Sequence, residues 1–298
     1  MRTPSKGGII VVRDAPSLEV LRRFLEHEIP LRKNVHTATG DKQVSQYNEF
    51  MRRMLCVTAH PDDEAGSFGG SLALYHDRGV ETEVICLTPG QAASHRGGAK
   101  DDHALAAMRR EEFAASCRIL KITRGVVLDY PDGKLYRQDL YRVVCDLTLE
   151  VRRFRPQVML SFGPEGGVTG HTDHSMASVF AELAFQWAGR TNRYPDQLRN
   201  GISPHRTQKL YFATANFTLP DRQPVTLAPA TAVVDIGQHL ETKIAAFKVH
   251  RSQAPLWSNF ESHVRQRGRQ EMFHLAAAMK CEALSPETDL FQGVEEGG

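Results

Sequence analysis

Short apolar runs and amphipathic stretches take turns along the chain from about residue 54. Residues 54–59 read as a buried strand, and a helical stretch follows over about 67–78, stopped by Gly79. The next strand is predicted at 83–88, ending at Pro89-Gly90, and a loop rich in Gly, Ser and Ala runs on to about His103. A long helix over about 104–121 and a short strand at 126–128 come next. Over 139–155 the apolar positions Leu140, Val143, Val144, Leu147, Val151 and Phe154 trace one helical face. Pro156 ends that helix, and 157–162 reads as a further strand. Beyond about residue 190 the pattern weakens. Residues 190–206 look like loop, 210–213 like a strand and 217–230 like an irregular Pro-rich segment, with helices predicted over about 238–252 and 260–279.

Elements alternating in this order predict an α/β fold, a Rossmann-like, mostly parallel sheet with helices on both faces. The main domain is expected to cover 51–298. Residues 1–50, with one amphipathic candidate at 18–25, read as an N-terminal extension packed on it. In parallel sheets the reactive loops collect beyond the carboxyl ends of the strands. The stretches richest in chemistry, 60–64, 89–98 and 163–174, fall at such ends.

Composition narrows the class. The 298 residues are 41% hydrophobic with 23 Gly, an ordinary globular balance, and 37 basic against 35 acidic side chains leave a net charge of +2. No strong field draws such a chain to nucleic acid or a membrane surface. The run Arg265, Arg267 and Arg269 is read as a solvated helix face and not as a nucleic-acid site. The five Cys are scattered, with no C-x-x-C pair, and sit in apolar runs as small buried hydrophobes, which fits a reducing compartment. No apolar run approaches the ~18 residues of a membrane span, and the Gly-Ile-Val run near the N-terminus is too short for a signal-peptide core. The expectation is a soluble, cytoplasmic protein whose homo-oligomerisation is left open.

Two motifs stand out. His60-Pro61-Asp62-Asp63-Glu64 directly follows the first strand. Proline keeps His60 extended and can open a helical turn, with three acids at its positive end. A helix start explains one or two acids, but not a histidine and three acids within five positions. The second motif, Gly170-His171-Thr172-Asp173-His174, ends a glycine-rich loop after another strand, at the start of a predicted helix. Two imidazoles at i and i+3 can project to one side of that turn. His60, Asp63 and one histidine of the second motif make three N/O ligands, the open pattern of catalytic zinc, whereas structural sites usually use thiolates. Asp62 is then left beside the metal as a base, and the other histidine as a hydrogen-bond donor or acid.

On these residues the chain resembles the PIG-L/LmbE-like zinc-dependent N-acetylglucosamine deacetylases. Arg109-x-x-Glu112, the Asp132-Gly133 turn and Lys243…His250-Arg251-Ser252-Gln253 support the likeness, which spans about residues 55–253. The resemblance implies Zn2+ held by His60, Asp63 and His174, with Asp62 as general base and His171 stabilising charge or protonating the leaving amine. It also implies that Asp173 orients His171, and that Arg109 and Asp132 hold the sugar. Read from the residues alone, Arg109 could pair with Glu112 on a solvated face, and Asp132-Gly133 could be only a turn. The chain departs from several relatives in having Thr169 where they carry Tyr. The expected partner is a small amino-sugar conjugate. The alternatives are an amidase of a sugar-linked thiol conjugate with the same zinc apparatus, and a non-catalytic Rossmann-like binding module. Gly66-x-x-Gly69-Gly70 argues weakly for the module, because it lacks the dinucleotide spacing and follows acids that would repel a pyrophosphate.

Overall fold

Strand β1 (Arg53–Thr58) is buried at every position but its first, as a central strand covered on both faces must be. It feeds α1 (Asp63–Asp77), β2 (Glu81–Cys86), α2 (Asp102–Ile119) and β3 (Arg124–Val127), the strand–helix alternation expected. The computed structural model describes residues 51–199, 201–219, 224–280 and 285–295; the expected N-terminal extension, including 18–25, lies outside the described residues. Next come α3 (Leu140–Phe154), β4 (Val158–Phe162), α4 (Thr172–Ala188), the short α5 (Pro195–Arg199) and β5 (Lys209–Thr214). Helix starts are chemically marked. The Asp101 side chain accepts the Ala104 amide at 2.7 Å and that of Asp139 the Arg142 amide at 2.8 Å, each satisfying an amide that the helix leaves unpaired.

The seven-stranded sheet has the order β3-β2-β1-β4-β5-β7-β6, with β6 at Ala232–Asp235 and β7 at Gln270–Ala278. Every pairing from β3 through β5 is parallel, and β7 runs antiparallel to both β5 and β6. The sheet is therefore mostly parallel, with α1, α2 and α6 (Leu240–Lys248) packed together in one helical layer and α3 and α4 in another. Chain order runs outward from β1 in both directions, so the crevice between the carboxyl ends of β1 and β4 is the topological switch point, where such sheets bind ligands.

Two expectations are corrected, one in the C-terminal third and one at the first helix. The helix predicted over 260–279 is α7 (Trp257–Arg267), followed by β7. The run Leu275-Ala-Ala-Ala favours helix locally, but it pairs along β5 while β6 holds residues 270–273 of the same strand, and tertiary pairing overrides propensity. Gly66, Gly69 and Gly70 lie inside α1 and form no loop. A Cβ on Gly70 would collide with the Ile236 side chain, so this glycine serves close packing.

No helix among the described residues is long and apolar enough to cross a membrane. Cys56, Cys86, Cys117 and Cys145 are free thiols, and the first three are buried. Arg265 lies on α7 and pairs with Glu241 and Glu261.

Candidate active site

The two motifs meet at the switch point. Pro61 breaks β1, and Asp63 turns back as the first residue of α1, its Oδ2 accepting the amides of Ala59 (3.1 Å) and His60 (2.8 Å). That leaves Asp63 Oδ1 facing His174 Nε2 at 3.1 Å, with His60 Nδ1 3.6 Å from Oδ2. The other nitrogen of His60 lies 3.1 Å from Asp132 Oδ1 and 3.4 Å from Asp173 Oδ2. His171 completes the group: its ring sits edge-on to that of His60 at 4.8 Å and 5.1 Å from that of His174.

The glycine-rich loop after β4 builds the second half. Gly166, Gly167 and Gly170 adopt φ of 86°, 65° and 62°, which L side chains resist, and a Cβ on Gly166 would lie 2.6 Å from the His171 carbonyl. The loop places the Gly166 carbonyl 3.2 Å from His174 Nδ1. A carbonyl only accepts, so Nδ1 carries a proton and Nε2 is the nitrogen turned to Asp63 and the site. Phe162 stacks on the His174 ring at 3.9 Å and 3°, which fixes the ring plane. His171 caps α4: the Asp173 amide donates to its Nδ1 at 3.2 Å, so the proton sits on Nε2. The contact of Asp173 with His171 is thus made by its backbone amide and not by its carboxylate. The Asp173 carboxylate is taken up by the Gly133 and Leu135 amides, at 2.7 and 3.2 Å, and faces His60.

Electrostatics follow from this packing. Burial opposes the His60 imidazolium, but Asp132 and Asp173 outweigh it and lift its pKa to about 10. Burial likewise opposes the Asp63 carboxylate, yet His174 and His60 hold it well below the usual range. Asp132 and Asp173 are lowered in the same way, chiefly by His60 against burial. Asp62 goes the other way: burial raises it to about 6, partly offset by Arg109. His171 is lowered by burial and then by the neighbouring imidazoles.

This donor set fits a small divalent cation. Ligand atoms of His60, His171 and His174 lie within 4.8 Å of one another, as do those of His60, Asp132 and Asp173. His60 Nε2 is buried and makes no aligned hydrogen bond, and three carboxylates, Asp63, Asp132 and Asp173, crowd within 3.6 Å of the one imidazole. A cation relieves both conflicts, and imidazole and carboxylate together suit zinc-type metals.

Arg109 and Glu112 are 3% and 7% exposed, which removes the solvated-face reading of that pair. Arg109 Nη1 donates to the Gly90 carbonyl at 3.0 Å, and Nη2 donates to the Pro61 carbonyl and, at 2.9 Å, to Asp62 Oδ2. Glu112 instead accepts the amide and hydroxyl of Ser252 at 2.7 and 2.6 Å, which fastens the C-terminal segment beside the site. Asp132-Gly133 is a turn and more, since Gly133 adopts φ 72° and Asp132 joins the histidine cluster while accepting the Ala92 amide at 2.8 Å. Two features escape sequence reasoning: the involvement of Glu64, whose only signal is its place in the acidic motif, and the stacking of Phe162 on His174.

Known proteins are similar to this chain. The profile of PIG-L, GlcNAc-PI de-N-acetylase, matches residues 55–185. The chain is 29% identical to 1D-myo-inositol 2-acetamido-2-deoxy-alpha-D-glucopyranoside deacetylase 2 of Catenulispora acidiphila, over 82% of this chain and 97% of that protein. It is 30% identical to the corresponding deacetylase 1 of Saccharopolyspora erythraea, over 69% of this chain and 78% of that one. Among solved structures it is similar to the N,N'-diacetylchitobiose deacetylase from Pyrococcus horikoshii, with a TM-score of 0.65 at 25% identity, over 75% of this chain and 83% of that one.

Proposed function

The chain belongs to the PIG-L (GlcNAc-PI de-N-acetylase) family, and from that premise we propose that it is a zinc-dependent hydrolase removing an acyl group, acetyl in the first instance, from the nitrogen of an N-acetylglucosamine-type conjugate. The observation that carries this reading is the convergence of His60, His171 and His174 with Asp63, Asp132 and Asp173 at the switch point, drawn from separate crossovers, with Asp62 next in sequence to Asp63. His60, Asp63 and His174 hold the metal, through nitrogens and an oxygen that their own backbone and carbonyl contacts orient. Zinc there supplies Lewis acidity toward water and the acyl carbonyl.

The remaining groups divide the proton work. Asp62, with a pKa near 6, is ionised at neutral pH yet basic enough to take a proton from water as it attacks the carbonyl. His171, kept neutral by its lowered pKa and protonated on Nε2, donates a hydrogen bond to the developing oxyanion; one such donor is typically worth about 3 kcal/mol. The leaving amine takes the proton that Asp62 accepted from water, since His171, held neutral, has no acidic proton to give. Asp132 borders the sugar, while Arg109 acts on Asp62, whose carboxylate it binds.

The test is a direct one. Zinc-loaded protein, its metal content measured by mass spectrometry, is incubated with a panel of N-acylated amino sugars that includes N,N'-diacetylchitobiose and inositol-linked N-acetylglucosamine. Liberated primary amine and acetate are expected together. Amine released with a larger carboxylic acid would favour the amidase chemistry instead, and stoichiometric zinc without amine from any member would overturn the reading.

A further inference from the structure

Asp62 holds an unusual backbone conformation, φ 118° and ψ −26°, in the left-handed region that a non-glycine residue adopts only when its surroundings enforce it. The enforcing contacts are visible. The peptide joining Pro61 to Asp62 is gripped at both of its polar atoms: the Pro61 carbonyl accepts from Arg109 Nη2, and the Asp62 amide donates to Glu64 Oε2 at 2.9 Å. Glu64 is fully buried, and its other oxygen, Oε1, lies 2.8 Å from His250 Nε2. A carboxylate oxygen accepts, so that nitrogen donates. His250 is itself fully buried and comes from the segment after α6, 186 residues away. That segment is anchored in turn by Ser252 on Glu112 and by Gln253 Nε2 on the His95 carbonyl at 3.2 Å.

We propose that Glu64 and His250 are positioning residues for the reaction: they lock the Pro61–Asp62 peptide in its strained orientation and so aim the Asp62 carboxylate. This rests on the reading of Asp62 as the base. Neither side chain reaches the reacting atoms. His250 fixes the rotamer of Glu64, Glu64 fixes the Asp62 amide, and Arg109 holds the same peptide from its carbonyl side while binding the Asp62 carboxylate. With Glu64 removed, nothing on the amide side opposes relaxation of Asp62 toward an ordinary φ, and the carboxylate swings with the backbone. Displacements on the order of 1 Å at a reacting group can lower turnover about a hundredfold.

The experiment compares Glu64→Ala, Glu64→Gln and His250→Phe with the unaltered enzyme, on the panel substrate giving the highest rate, with kcat, KM, bound zinc and Tm recorded for each. His250→Phe keeps the ring shape and removes only the donor, so it serves if Glu64→Ala folds poorly. Glu64→Ala is expected to lower kcat about a hundredfold with KM and zinc content unchanged, and His250→Phe to lower it about tenfold. Glu64→Gln, whose amide oxygen still accepts from Asp62 while its NH2 loses the His250 donor, should match the roughly tenfold loss of His250→Phe. The decisive arm places Glu64→Ala in an Asp62→Asn background, where it should cost nothing further because the group it aims is already gone. Wild-type kcat in Glu64→Ala, or an equal loss in both backgrounds, would overturn the inference while Asp62 stands as the base. Wild-type turnover in Asp62→Asn itself would instead remove the base assignment, and this inference with it.

Discussion

At the carboxyl edge of the sheet three buried carboxylates crowd around His60, whereas at one corner of the amino edge the buried Arg152 and His205 face backbone carbonyls. Around His60 lie Asp63, Asp132 and Asp173 at 3.1–3.6 Å, so each group perturbs the next. At the opposite edge, where α3 leads into β4, Arg152 is 2% exposed and donates to five oxygens: the carbonyls of Ala188, Arg190, Arg193 and Tyr194 and the Gln197 side chain. Not one of these is a carboxylate. Beside it His205, also 2% exposed, bonds the Pro156 carbonyl at 2.7 Å. Carbonyls are matched by donors around Arg152 and His205, so these contacts hold the chain together. Mutually opposed charges at the other edge are costly for folding, and a bound cation resolves them. Buried charge alone therefore does not mark a functional site. What marks it is that buried groups conflict with one another in the absence of a ligand.

The contrast can be broken from either edge. The largest effect is expected from Asp62→Asn, which should lower kcat by roughly 10³-fold while bound zinc stays stoichiometric, since it removes a base and no ligand. Near-normal turnover would end the base assignment. His174→Ala should cut zinc content well below that of the unaltered enzyme, and activity by at least about a hundredfold, with the far-UV spectrum preserved; unchanged metal content would show that another set of side chains binds it. At the amino edge the readout changes. Arg152→Met should cost about 3 kcal/mol in urea unfolding, because several buried carbonyls lose their donor, yet kcat per folded molecule should be unchanged. A loss of kcat there would erase the distinction between the edges.

The smallest effect concerns acid stability. Burial lowers His205 from 6.5 to about 4, despite the Pro156 carbonyl bond. Between those values the unfolded chain binds a proton that the folded chain refuses, so stability falls as pH falls through that window. From pH 7 to pH 5 this single residue should account for about 2 kcal/mol. His205→Asn should flatten that part of the profile, and an unaltered slope would show that His205 titrates normally.

Much of this molecule is legible along the chain. The buried runs at β1, β2 and β4 and the single apolar face of α3 predict the parallel half of the sheet, because strand and helix periodicities are local properties. The two histidine motifs follow from the same logic: they stand at strand ends, where a parallel sheet gathers its loops. Tertiary structure decides the remainder. Residues 275–278 become strand because β5 offers them a partner and β6 holds the preceding half of the same strand, which no local preference encodes. Asp132 faces His60 rather than standing apart, and His250 finds Glu64 across 186 positions, because the order in which crossovers close determines which loops meet. The left-handed Asp62 belongs with these: sequence supplies a proline and three acids, but the strain is held in place by Arg109 and Glu64, through contacts that exist only once the sheet and the C-terminal segment have closed around them.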